Sequence, residues 1–385
     1  MGEKLRQPVH IGIDASRLAV TSRTGTERYS LELLTALAGL DSFNRYTLYC
    51  NQPPAMLPPL PPNGTLRVLP FPRLWTHTRL SLEMYQHPPD ILFVPAHVLP
   101  LYHPARSVVT LHDLGYLAFP EAHPPARRLE LHLTTLWSAR TARRIIAVSE
   151  ATREALVHCY GIDRSAIAVV HHGLSPMFRP VQHPHTVRSI LARCHCNEQA
   201  PLPPYLLFIG TVQPRKNLAR LIDALALVVH RGDLPAPYEN LHLIIVGKRG
   251  WLDEAIISRA AEQGIAERVC FAGYVADQDL PALLSAALAF VFPSLHEGFG
   301  MPVLEAMACG TPVLTSNTSS LPEVAGDAAL LVNPHSTPAL AAALVRLLND
   351  TALRADLRER GLARAAQYTW ERCARQTLSI LLDTM

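Results

Sequence analysis

The sequence predicts an α/β protein of two doubly wound domains, and three observations carry that expectation. Its 385 residues exceed what a single hydrophobic core usually supports. Short β-rich runs alternate with longer helical stretches in two successive sets, the pattern of parallel strands joined by crossover helices. A stretch rich in Pro and polar residues, PMFRPVQHPHTVRSILARCHCNEQAPLPP, separates the sets and reads as the connection between domains.

The first set comprises HIGID, RYTLYC, DILFVP, SVVTLHD, RIIAVS and AIAVVHHG, and would make one sheet. The Pro-rich QPPAMLPPLPPNG between two of its strands reads as a surface loop. The second set comprises YLLFIG, LHLIIVG, RVCFAGYV, LAFVFPS, TPVLTS and AALLV. A last helix, TWERCARQTLSILLDT, follows the natural end of that set and needs a home elsewhere, which the first domain can offer. The expected boundaries are 1–180 for the first domain, 181–204 for the linker, 205–365 for the second domain and 366–385 for the returning helix. No internal repeat interrupts this order.

With 49% hydrophobic and 17% charged residues the chain is globular, not disordered. No run approaches the roughly 20 apolar residues of a membrane-spanning helix. The start MGEKLRQPVHIGIDASRL has neither an apolar core nor a small-residue cleavage site, so no signal peptide is expected. Seven scattered cysteines suit reduced thiols in a cytoplasm. Net charge is +3, unevenly spread: residues 1–180 carry 18 Lys+Arg against 13 Asp+Glu, the remainder 17 against 19. That basic bias suits peripheral contact with anionic lipid at the inner face of the membrane, or an acidic acceptor, and equally an ordinary solvated surface. No nucleic-acid partner is expected.

The most informative segment is FVFPSLHEGFGMPVLEAMACGTPVLTSNTSSLPEVAGDAALLVNP, residues 290–334. A strand ends at Ser294, a loop carries Glu297, Gly298 and Gly300, and a short helix carries Glu305 and stops near Gly310. Glycines between a strand end and a helix start let backbone N–H groups approach a phosphate, which the helix dipole also favours. A carboxylate in such a loop can accept hydrogen bonds from sugar hydroxyls, and one on the helix can do so for a ribose. The same pattern also serves purely structural turns.

Arg215 and Lys216 in GTVQPRKN lie just past the strand YLLFI, where ligands of open α/β sheets gather. Cations there can neutralise a diphosphate as it leaves. His112 and Asp113 end the strand SVVTL, with Asp113 read as orienting the turn or next helix. Gly25, before the helix ERYSLELL, is compatible with close backbone approach to donor phosphates or acceptor, and with a simple turn.

Glu297 and Glu305, with seven residues between them, match the E-x7-E motif of retaining glycosyltransferases, and HEGFGMPVLEAMACGTPV closely resembles glycosyltransferase family 4. The resemblance extends through IGIDASRL, RTGTERYSLELL, TLHDL, FIGTVQPRKNLARLIDAL and YTWERCARQTL, and so covers almost the whole chain. Within the family the chain looks most like mannosyltransferases of bacterial surface polysaccharide assembly. The resemblance implies the GT-B fold: two Rossmann-like domains facing across a cleft, the second binding a nucleotide-sugar donor and the first a glycan or lipid-linked acceptor. It implies retention of anomeric configuration without an essential metal, and no cofactor, since the nucleotide sugar is a substrate. It implies catalytic roles for His112, Glu297, Arg215 and Lys216. Donor contacts are implied at Glu305, Gly298, Phe299, Gly300, Met301 and Gly25. One departure stands out: many relatives have arginine directly after the glycine that ends the strand, where this chain has Thr211, so Arg215 is expected to supply that charge.

Two other patterns are read as structural. Asp277-Gln278-Asp279 has a metal-binding spacing, but it directly precedes LPALLSAALA, where acids cap and start a helix. Cys194-His195-Cys196 lacks a second ligand pair at zinc spacing and reads as loop. The stretch PARRLELHLTTLWSARTARRI mixes Arg with Leu and Trp, as either a membrane-surface helix or a basic-faced domain helix would. A dinucleotide dehydrogenase is disfavoured because IGIDASRL lacks G-x-G-x-x-G. A nucleotide-sugar epimerase and a silent binding relative remain the rivals.

Overall fold

The computed structural model describes every residue except 1–6, 21–24, 55–56, 123, 182–183, 195–202 and 251–252. The chain divides into two compact units, one of residues 1–173 with 368–385 and the other of residues 174–367.

The first unit holds a seven-stranded sheet in the order β3-β2-β1-β4-β5-β6-β7, every neighbouring pair parallel. Its strands are β1 (His10–Asp14), β2 (Arg45–Cys50), β3 (Gly64–Val68), β4 (Ile91–Val94), β5 (Ser107–Leu111), β6 (Arg144–Ala147) and β7 (Ile167–Val169). Residues of β4 and β5 are buried throughout, as strands covered by helices on both faces must be, and this is why β4 reads as a continuous apolar run. The edge strand β3, GTLRV, has no such run and was not apparent from the sequence. One face of the sheet packs on the helix Gly25–Leu40 through Leu33, Leu34 and Leu37. The C-terminal helix Trp370–Leu382 joins the same core through Trp370, Cys373, Ala374 and Leu381. Thr369 caps that helix by accepting from the Arg372 amide at 3.1 Å. A Cβ on Gly173 would lie 2.2 Å from the Trp370 nitrogen, so only glycine lets the strand exit and the returning helix meet.

The second unit has six parallel strands in the order β10-β9-β8-β11-β12-β13. They are β8 (Tyr205–Ile209), β9 (His242–Val246), β10 (Val269–Gly273), β11 (Ala289–Phe292), β12 (Val313–Ser316) and β13 (Leu330–Val332). Before β8 the chain forms the helix Pro184–Arg193, which buries Val187, Ile190 and Leu191. In each sheet the strand order reverses at one place, between β1 and β4 and between β8 and β11. Ligands of open α/β sheets bind outside the carboxyl ends of strands at such switch points.

Among the described residues no helix is long and apolar enough to cross a membrane. Cys50, Cys159, Cys194, Cys309 and Cys373 are free thiols, but Cys270 is disulfide-bonded. One bonded cysteine beside five free thiols among the described residues departs from the expected reduced set without making a disulfide framework. Of the Cys194-His195-Cys196 pattern, the last two residues lie outside the described residues.

Candidate active site

The switch point of the second unit assembles the cationic and acidic residues singled out in the sequence. Lys216 and Arg215 follow β8, and Glu297 follows the neighbouring β11. The Lys216 ammonium lies 2.5 Å from Glu297 Oε1, and Arg215 Nη1 lies 3.1 Å from Oε2. Ser294 donates its hydroxyl to Oε1 at 2.6 Å. The Lys216 ammonium also stands 4.8 Å from the centroid of the Phe292 ring, a cation–π contact. Burial alone would raise the Glu297 pKa, but the charges of Lys216 and Arg215, with the hydrogen bonds from Lys216 and Ser294, hold it down at about 2. Glu297 is therefore a carboxylate at any working pH. Two cations against one anion leave the cluster with an excess positive charge, suited to an incoming phosphate.

Two loops are tied so that this geometry persists. The Arg215 carbonyl accepts from the Leu295 amide at 2.9 Å, and Arg215 Nη1 donates to the His296 carbonyl. Asn217 adopts a left-handed conformation, φ 61°, and its side-chain amide donates to the carbonyls of Pro293 and Pro334 at 3.0 and 2.8 Å. Ser319 accepts from the Glu297 amide at 3.1 Å and donates to the Glu297 carbonyl at 2.6 Å. Ser320 donates to the carbonyls of Glu297 and Phe299 at 3.0 and 2.8 Å. Asn217, Ser294, Ser319 and Ser320 were not singled out in the sequence. A Ser or Asn reveals such work only through its partners, although Asn217 directly beside Arg215-Lys216 was a usable signal.

Gly300, with φ 107°, turns the loop into the helix Met301–Ala308. A Cβ there would meet the end of the Leu321 side chain at 2.8 Å, but it is the backbone conformation that favours glycine. Gly298 and Phe299 complete the loop, Phe299 is buried, and Met301 opens the helix half-buried. Glu305 lies on that helix with its side chain largely buried. Gly210 and Thr211 directly follow β8, and Arg215 and Lys216 come four and five residues after Thr211.

The first unit has its own polar cluster beyond the carboxyl ends of β4 and β5. His112 directly follows β5, and its Nε2 donates to the Pro95 carbonyl after β4 at 2.9 Å, which leaves Nδ1 as the acceptor of a neutral ring. Tyr29, His97 and His172 surround it, with ring centroids at 4.7, 5.1 and 5.5 Å. Burial first, then His97, press the imidazole down to about 3, with the Pro95 bond and Asp113 pulling weakly the other way. Asp113 accepts from the Gly115 amide at 2.8 Å and so orients the turn into the next helix. Gly25 opens its helix exposed, and nothing would lie within 4 Å of a Cβ there, so packing does not require glycine.

Asp279 stands at the N-cap of the helix Leu280–Ala286, as the sequence reading placed it, but its side chain makes no capping hydrogen bond. Its carboxylate instead pairs with Arg193 at 2.6 Å, a partner on a helix that local pattern could not supply. Among the described residues no three His, Cys, Asp or Glu side chains group as a metal site.

The neutral state of His112 has a measurable consequence. A histidine in an unfolded chain takes its proton near pH 6.5, whereas folded His112 waits until about 3. As pH falls through that window the unfolded chain binds a proton the folded one refuses, so stability is lost with acid. Histidine NMR signals should show His112 not titrating between about pH 8 and about pH 5. A midpoint near 6.5 would contradict the buried cluster.

Two parallel Rossmann-like sheets, with a cation pair braced by a buried carboxylate at the second switch point, define a protein of the GT-B glycosyltransferase class. Solved structures agree in fold. Sucrose-phosphate synthase from Thermosynechococcus elongatus aligns over 98% of this chain and 99% of that one, with TM-score 0.73 and 22% identity. Anabaena Alr3699/HepE in complex with UDP and glucose aligns over 97% and 99%, with TM-score 0.71 and 20% identity. The sequence matches Glycosyltransferase Family 4 over residues 23–177 and Glycosyl transferases group 1 over residues 197–364. It is 36% identical over 275 residues to O-antigen chain mannosyltransferase B of Escherichia coli, covering 71% of this chain and 69% of that protein. It is 30% identical over 278 residues to the serotype-specific mannosyltransferase WbdA of Escherichia coli, covering 70% of this chain but 32% of that longer protein. The chain belongs to this glycosyltransferase family.

Proposed function

We propose that the chain is a retaining mannosyltransferase that moves mannose from GDP-mannose to a hydroxyl of a glycan or lipid-linked acceptor in cell-surface polysaccharide assembly, working in the cytoplasm. The observation that carries the donor chemistry is the Lys216–Arg215–Glu297 cluster with its excess positive charge at the switch point between β8 and β11. The choice of sugar is supported by the similarity to O-antigen chain mannosyltransferase B and the mannosyltransferase WbdA.

In this reading residues 205–365 bind the donor and residues 1–180 the acceptor. Lys216, Arg215 and amides at Gly298–Met301 hold the diphosphate, whose negative charge grows as the bond from sugar C1 to phosphate oxygen breaks. The acceptor oxygen bonds to C1 on the same face, and its proton passes to the departing phosphate oxygen, so no side chain acts as nucleophile. Glu297 orients the sugar, Glu305 the ribose, and His112 acts from the acceptor domain. Fixed cations take the place that a divalent ion fills in other transferases, and Asp279 is already engaged by Arg193.

The test is a transfer assay with GDP-mannose and an acceptor glycan, the product's anomeric configuration being read by NMR. Retention and undiminished rates in EDTA are expected. Inversion, or activity lost in EDTA and restored by Mn²⁺, would refute the mechanism. Epimerised sugar from an acceptor-free reaction would favour the rival enzyme.

A further inference from the structure

His97 packs beside His112 and has no part in the transfer chemistry so far assigned. Its φ of 59° is left-handed, a region that a non-glycine residue enters only under constraint, although histidine tolerates it better than most. Among the described residues the other non-glycines with positive φ are Leu74, Asn217 and Ser319. Asn217 and Ser319 brace the loops of the donor cluster. Backbone strain of this kind gathers at ligand sites, where the surrounding structure holds it in place.

The constraint on His97 is visible. Its amide donates to the Thr110 carbonyl at 3.0 Å, and the Val98 amide donates to the Ala96 carbonyl at 2.7 Å. The Pro95 carbonyl accepts from His112 Nε2 at 2.9 Å. Residues 95–98 are thereby tied to β5 and to His112, and they hold the His97 ring 5.1 Å from the His112 ring, tilted by 47°.

The backbone is committed and the ring is not. His97 is half-buried, and among the described residues its imidazole makes no hydrogen bond. Burial holds its pKa below the ordinary histidine value, with Asp113 opposing and Arg17 adding to the effect, so the ring is neutral at working pH. A neutral imidazole carries one N–H donor and one nitrogen acceptor, the complement of a hydroxyl, which also donates and accepts. A ring that only filled space would need no polar atoms, and glycine would relieve the left-handed φ.

Its position favours a ligand. The strand order of the first sheet reverses between β1 and β4, and His97 lies just past the end of β4. Arg17 lies just past β1, with its side chain 43% exposed and paired with Glu27 at 3.3 Å. The charge of Arg17 acts on both His97 and His112, so the three share one electrostatic neighbourhood. Ligands of open α/β sheets gather at such reversals.

We propose, resting on the reading of the first unit as the acceptor domain, that His97 is a specificity-determining residue whose ring nitrogens bind a hydroxyl of the acceptor sugar. The attacking hydroxyl gives its proton to the departing phosphate oxygen, so the hydroxyl that His97 holds is a non-reacting neighbour.

His97→Gly fits the backbone and removes only the ring, so its melting temperature should stay within about 4 °C of the parent's. With GDP-mannose as donor and methyl α-mannoside as acceptor, its acceptor KM should rise about tenfold. Its affinity for GDP, measured by calorimetry, should change by less than about twofold. His97→Asn also tolerates a left-handed φ and keeps a donor and an acceptor, and should recover part of the loss. Monodeoxy derivatives of methyl α-mannoside locate the hydroxyl: one of them should cost the wild-type chain about tenfold and cost His97→Gly nothing further. Equal penalties from every derivative in both proteins, or a parallel loss of GDP affinity, overturn the proposal. So does a fall of about 10 °C or more in melting temperature, since the ring would then be packing. Imidazole NMR decides the matter without turnover. Methyl α-mannoside should shift the His97 signals, identified by their absence in His97→Gly, and unshifted signals overturn the proposal. A wild-type chain whose His97 signals shift but which transfers no mannose refutes the reading of function and leaves the His97 contact standing.

Discussion

Lys216→Ala is expected to lower kcat/KM by on the order of 100-fold or more, the scale of removing one group that stabilises charge in the transition state. Lys216 is largely buried, so water cannot easily replace its ammonium. The loss has a second component. Glu297, held at about 2 by Lys216 and Arg215, keeps Arg215 and Ser294 but loses its nearest cation. Breaking a buried ion pair from one side commonly costs about 3 kcal/mol or more, and the remaining arginine should reduce that cost. Initial rates and thermal melts of the same preparation separate the two parts. A variant of near-normal kcat/KM would remove the lysine from the phosphate site.

The second large effect is expected at Glu297. Glu297→Gln should lower kcat by about 100-fold, because the group that orients the reacting sugar is altered. The same substitution cancels the only anion of the cluster while both cations remain. Affinity for GDP alone, measured by calorimetry, should therefore hold or rise as catalysis falls. Glu305→Gln should behave differently, raising the donor KM with a smaller change in kcat, as expected of a contact equal in ground and transition states. Parallel loss of GDP affinity and turnover in Glu297→Gln would show that the carboxylate serves only to keep the cations in place. With its pKa at about 2, Glu297 should contribute no acidic limb to a pH–rate profile above about pH 4.

Much of the fold was legible because buried parallel strands announce themselves locally. β4, β8 and β11 are covered on both faces, so each appears as an uninterrupted apolar run. β3 is half-exposed at a sheet edge and carries Gly and Arg, so nothing local marked it. The helix Pro184–Arg193 was hidden by its Pro- and His-rich flanks, although Val187, Ile190 and Leu191 have helical spacing. Asp277-Gln278-Asp279 shows the limit of local pattern, which placed Asp279 at a helix start but could not supply its partner, the distant Arg193.

By itself the sequence determined two α/β sets, the loop-and-helix spacing of Glu297 and Glu305, and a cation pair past the end of a strand, because each depends on near neighbours along the chain. Tertiary structure alone decided that β8 and β11 lie side by side, which brings Lys216 to 2.5 Å from a carboxylate 81 residues away. It decided the protonation of His112, through burial among Tyr29, His97 and His172, and the bracing of the Glu297 loop by Ser319 and Ser320. It also turned Leu129, Leu133 and Trp137 of the helix Pro125–Thr141 outward while Leu131 and Leu136 pack on the core. Strand order, electrostatic environment and outward face are set by long-range hydrogen bonds and packing, which leave no periodic trace in the residues that take part.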